Sequence, residues 1–109
     1  MFCLVPYIAS QLDQRFATIR AENILIGMTR EDFVARAAEH VSELNAIHPF
    51  REGNGRTVRA WLQRLGETAG HPIALERISP QPWISASIAS FRCGDYAAMR
   101  EVITGALID

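Results

Sequence analysis

Apolar residues recur along this chain at intervals of three and four, not in alternation, and that period predicts helices from end to end. Pro6 suits the first turn of a helix running from about Tyr7 into the twenties, with Tyr7, Ile8, Leu12, Phe16 and Ile19 at helical spacing. Thr29 with Asp32 reads as a capping box, Asp standing in for Glu. Phe33, Val34, Ala37, Ala38, Val41, Leu44 and Ile47 then mark one apolar stripe, which Pro49 stops. A third helix is expected from about Gly55 to Thr68, with Val58, Trp61, Leu62 and Leu65 inward and Gly70 as terminator. Ile73 to Ile78 is a connector. Ser79 and Pro80 read as N-cap and first-turn proline of a helix near Gln81 to Phe91. Gly94 and Asp95 end that helix and cap the last, Tyr96 to about Leu107. Only Phe2 to Val5 forms a short extended run, so the class is all-α: a helical bundle with a central helix–loop–helix.

The loop between the second and third helices carries the chemistry. It reads His48-Pro-Phe-Arg-Glu-Gly-Asn-Gly-Arg-Thr-Val-Arg59. A Gly-Asn-Gly turn exposes backbone N–H groups, because glycine lets a ligand approach the main chain. A helix starting there adds free donors and positive partial charge for phosphate oxygens. Arg56 and Arg59, spaced i, i+3, share one face of that helix, and their planar guanidinium groups suit phosphate. Glu52 is a hard oxygen ligand of the kind Mg²⁺ takes beside nucleotide phosphates. His48 has an unperturbed pKa near neutrality, as a general base requires. Phe50 reads as a core anchor that fixes the loop. The glycine spacing excludes a P-loop, which needs a following Lys-Ser/Thr, and a dinucleotide fingerprint, which needs a preceding strand.

This string resembles the active-site loop of the Fic family, His-x-Phe-x-(Asp/Glu)-Gly-Asn-Gly-Arg-x-x-Arg, at each specified position. The resemblance extends from about Phe2 to about Leu107 in helix order, and so implies a single Fic-like domain over 1–109. It implies a protein adenylyltransferase, which moves AMP from ATP to a Ser, Thr or Tyr hydroxyl of a target protein. On that reading His48 takes the hydroxyl proton and Glu52 holds Mg²⁺. The Gly53 and Gly55 amides and Asn54 hold phosphate oxygens, while Arg56 and Arg59 grip the β- and γ-phosphates. Family members carry a β-hairpin flap before these helices, and the segment at about 2–6 resembles its second half, which implies an N-terminally truncated domain. A kinase-like branch of the family has Lys where this chain has Gly55. Many relatives are restrained by a helix with Ser/Thr-x-x-x-Glu-Gly/Asn, whose glutamate pairs with the arginine equivalent to Arg59. Thr18 to Asn23 matches that pattern, but lies within the core helices, where the end of a helix is the better explanation of Glu22 and Asn23. Restraint then falls to a separate antitoxin or to another segment. The alternatives are an impaired nucleotide-binding or interaction module, and transfer of a different nucleotide-borne group.

Composition narrows the partners. A net charge of −1 gives no electrostatic case for nucleic acid or a membrane surface. All eleven basic residues are arginine. Cys3 and Cys93 are isolated thiols without metal spacing, which fits a cytoplasmic setting, with secretion as an effector left open. His40 and His71 lack metal spacing and are expected to be solvated or capping, and Trp61 and Trp83 to pack in the core.

Overall fold

The computed structural model describes residues 8–47 and 54–108. Within them lie five α-helices: α1 Ile8–Ala21, α2 Arg30–Ile47, α3 Asn54–Ala69, α4 Pro80–Cys93 and α5 Ala97–Ala106. The described residues contain no strand, only an isolated antiparallel bridge between Ile73 and Leu107. The expected flap segment at about 2–6 lies outside the described residues.

The all-α expectation holds, and α2 is the hub, packing against each of the other four helices. Its stripe is why: Phe33, Ala37, Ala38 and Val41 are fully buried, with Val34 and Leu44 nearly so. They meet Ile19 from α1, Val58, Leu62 and Leu65 from α3, Trp83 and Ala86 from α4, and Met99 and Ile103 from α5. Burying each large apolar side chain is worth about 1.5–3 kcal/mol. One helix whose stripe is matched on several sides therefore organises the rest.

Caps set the helix ends. The Thr29 hydroxyl accepts from the Asp32 N–H at 3.1 Å and opens α2, one half of the expected capping box. Gly94 adopts the left-handed conformation (φ 64°) and closes α4 by donating to the Ser90 carbonyl. The Asp95 carboxylate then accepts from the Ala97 N–H at 2.9 Å and starts α5. Ser79 sits at the N-cap position of α4, yet its side chain makes no capping bond, and Pro80 starts the helix through its fixed φ. The connector between α3 and α4 is tied down by main-chain bonds. Ala74 N–H donates to Ala106 O at 2.8 Å and Ile108 N–H to Pro72 O at 3.0 Å.

The turn after α1 was not legible in the sequence. Asn23, Ile24 and Leu25 all take positive φ (57°, 54° and 64°). Such a conformation costs an L-residue about 1–2 kcal/mol. Full burial of Leu25 and the clamp on Glu22 described below offset that cost.

Candidate active site

α2 ends at Ile47 and α3 begins at Asn54, so these two helices bracket the motif loop. His48, Phe50, Glu52 and Gly53 lie outside the described residues. Asn54 and Gly55 form the first turn of α3, so the helix expected from about Gly55 begins within the Gly-Asn-Gly turn. Arg56 follows on that turn and is exposed; Arg59, one turn on, is half-buried. The register puts both arginines on one side of α3. Val58 and Leu62, both buried, hold α3 against the core beside them.

Arg59 has a defined seat. Its guanidinium carbon lies 5.4 Å from the centroid of the Trp83 ring. Trp83 is 3% exposed, which agrees with the core role read from the sequence, but this contact was not foreseen. The Trp83 carbonyl accepts the Ser87 hydroxyl at 2.8 Å, and the Ser87 oxygen accepts Asn45 Nδ2 at 3.2 Å. Asn45 and Ser87 are themselves buried. A polar seam thus joins α4 to the last turn of α2.

Trp61 departs from the expectation in degree. It is half-buried, edge-on to Phe16 at 6.4 Å. With Ile19, Ile24 and Leu65 it lines an open groove of about 420 Å³, rimmed by Arg20 and Arg64. By helical register that groove faces away from Arg59.

The histidines correct the sequence reading more sharply. His40 is not solvated but fully buried. Its Nδ1 is 3.1 Å from Arg15 Nη1 and its Nε2 is 3.3 Å from Glu22 Oε1. Arginine only donates, so Nδ1 accepts, and the ring is the Nε2–H tautomer donating to Glu22. Burial pushes its pKa below 6.5 and keeps it neutral. His71 is half-buried, stacked on Phe33 with ring centroids 4.8 Å apart, and its Nε2 donates to the Met28 carbonyl at 2.9 Å. It ties two loops together rather than capping a helix.

Glu22 belongs to this cluster as well. Arg36 Nε donates to Glu22 Oε1 at 2.9 Å and Arg36 Nη2 to Oε2, a bidentate pair. That pair holds the Glu22 carboxyl below its usual range and raises the guanidinium of Arg36 further. Arg36 also meets Glu39 at 3.0 Å, and Arg15 lies near Glu39 and Glu43. Tyr96 donates its hydroxyl to Glu43 at 2.9 Å. The glutamate that matches a restraining pattern therefore closes α1 against α2 and is committed to Arg36 and His40. Among the described residues, no three His, Cys, Asp or Glu converge to hold a metal ion. None of their helices is long and apolar enough to cross a membrane.

A model of the Fic/DOC family matches residues 4–65, more than half of the chain and all of the motif. The chain belongs to the Fic/DOC family. A Bartonella henselae protein named protein adenylyltransferase is 40% identical over 92 residues, covering 84% of this chain and 16% of its own length. The N-terminal Fic domain of a putative cell filamentation protein from Bartonella quintana, solved with bound ADP, superposes with TM-score 0.91 at 32% identity. The BepC protein of Bartonella tribocorum, a VirB-translocated effector solved with bound AMPPNP, gives 0.89 at 30%. Each of these two structures covers 97% of this Fic chain, which in turn spans 50% of theirs.

Proposed function

We propose that this Fic chain is the catalytic core of a protein adenylyltransferase. The observation that carries the reading is the complete motif 48–59, with its two arginines set on one side of α3 behind a helix N-terminus. Relatives that bind ADP and AMPPNP support a nucleoside polyphosphate as the substrate.

In the proposed reaction His48 removes the proton from a target Ser, Thr or Tyr hydroxyl. The hydroxyl oxygen attacks the α-phosphorus of ATP and forms the new P–O bond. The bond from the α-phosphorus to the bridging oxygen breaks, and its electron pair leaves with pyrophosphate. Arg56 and Arg59 neutralise the departing β- and γ-phosphates. The Gly53 and Gly55 amides and Asn54 hold α-phosphate oxygens, and Phe50 anchors the loop. Preorganised charge of this kind supplies most of the acceleration in phosphate chemistry. One loop carboxylate, Glu52, fits Mg²⁺, which takes one or two carboxylates and completes its shell with phosphates and water. When bound there it would offset phosphate charge.

Restraint of the enzyme falls to a separate antitoxin-like chain or another segment, because Glu22 is committed within the fold. The reaction belongs in a cytoplasm, where ATP is available, whether the producing cell's or that of a cell receiving an effector. Nothing in the charge balance favours nucleic acid or a membrane as partner. The test is incubation with ATP labelled at either the α- or the γ-phosphate and a bacterial lysate. Label passing to protein from the α-position alone is expected. Transfer from the γ-position would make the chain a kinase-like member, and no transfer from either would overturn AMP transfer in favour of a binding module or transfer of a different nucleotide-borne group.

A further inference from the structure

We infer that Trp83 is a positioning residue of the phosphate site, presenting Arg59 to the polyphosphate with its N–H edges free. The inference rests on the reading of Arg59 given above. The other half-buried arginines among the described residues are spent on acceptors: Arg36 on Glu22 and Glu39, Arg15 on His40, Glu39 and Glu43. Arg77 is spent on the Leu107 carbonyl at 2.8 Å. Arg59 is seated differently. Among the described residues it has no ion-pair partner, and its guanidinium lies against an aromatic ring at 5.4 Å.

The difference matters chemically. A carboxylate would hold the guanidinium by its N–H edges and cancel its charge, leaving little for a phosphate. A ring face attracts the cation through its quadrupole within about 6 Å and leaves the in-plane donors available. It also displaces water from one side of the cation, which strengthens the remaining interactions.

The ring is rigid enough for this role. Trp83 is almost wholly buried, and its carbonyl is bonded to Ser87, which is bonded to Asn45. Asn45 stands three positions before His48. The same stretch of α4 therefore registers the helix that enters the loop, through Asn45, and the helix that leaves it, through Arg59. This segment of α4 sets the two limbs relative to each other, and the Trp83 ring is its contact with the α3 limb.

The test is titration of the full chain with ATP and with AMP, for wild type, Arg59→Ala, Trp83→Phe and Trp83→Leu. Arg59→Ala should weaken ATP strongly and AMP little. Trp83→Leu should weaken ATP about three- to tenfold, the range of a partly desolvated cation–π contact, with AMP unchanged. Trp83→Phe keeps a ring face and should recover most of the loss. A purely packing role predicts that Phe and Leu behave alike, or that ATP and AMP weaken together; either result overturns the inference while leaving Arg59 in place. If Arg59→Ala binds ATP normally, the reading of the site falls and the inference falls with it. Should Trp83→Leu not fold, Trp61→Phe leaves Trp83 as the only indole. ATP should then change its emission where AMP does not, and an unchanged emission overturns the proposal.

Discussion

The carboxylate of Glu22 and the imidazole of His40 meet at 3.3 Å in the seam between α1 and α2, with the ring wholly buried and the carboxylate clamped by Arg36. This pair gives the fold its own pH dependence. His40 titrates below 6.5 when folded, so the unfolded chain takes up the proton first and acid favours unfolding. The stability it contributes is complete above that value and is lost as pH falls toward the lowered one. Glu22 acts further down: its carboxyl is depressed from 4.5, and its contribution fades below that pH. Arg15, Arg36 and Glu22 are the charged groups that face the ring. The thermal midpoint should fall between pH 7 and 5. His40→Gln, which keeps a donor and an acceptor, should flatten that fall, with the loss below about pH 4.5 persisting. Thermal unfolding across pH checks both slopes, and equal slopes for the two proteins would contradict the assignment.

Glu22 also decides a regulatory question. If it restrained Arg59, removing its charge would raise activity. Its observed partners are Arg36 and His40, so Glu22→Gln should leave auto-modification with labelled ATP no higher than in wild type. It should instead lower stability by about 1–2 kcal/mol, the cost of a half-lost bidentate pair near the surface. A strong gain of labelling would make Glu22 an inhibitor.

At the motif, His48→Ala should reduce transfer by about two to four decades while ATP binding stays near wild type, as loss of a general base does. Comparing single-turnover transfer with nucleotide titration separates the two. Wild-type transfer by the variant would remove His48 from its role.

Chelation tests Glu52. Transfer should stop with excess EDTA and return with Mg²⁺, and Glu52→Ala should not be rescued by added metal. Transfer that continues in EDTA would rule out the metal role of Glu52.

Two glycines give opposite expectations. Gly66 is buried in α3, and a Cβ there would stand 2.6 Å from the His71 carbonyl oxygen and 3.1 Å from Ile73. Because the nearer neighbour is backbone, Gly66→Ala should cost about 1–3 kcal/mol. In α5, nothing lies within 4 Å of a Cβ at Gly105. Gly105→Ala should therefore stabilise by about 0.4–1 kcal/mol. Denaturant unfolding of both variants gives the signs directly.

The helices and the stripe of α2 were legible because burial imprints a 3.6-residue period on the sequence, and the motif because its chemistry is contiguous. What escaped is what depends on distant partners. His40 looked solvated since Arg15 and Glu22, which bury and satisfy it, lie 25 and 18 positions away. Ser79 looked like a cap because its residue type is right, but the side chain is not used. The left-handed run at Asn23 to Leu25 contains an isoleucine and a leucine, which local preference alone would never place there. Trp83 was legible as core, yet its contact with Arg59 is a product of the fold.

α5 is the last described helix, and it packs against α2 while Leu107 pairs with Ile73. As the chain is synthesised, the two helices that flank the motif emerge well before α5 can cover α2. Met99 and Ile103 complete the core only when nearly all of these residues are free. The nascent protein thus holds the 48–59 motif on an unfinished scaffold, and the proposed nucleotide capture should lag behind translation until α5 docks.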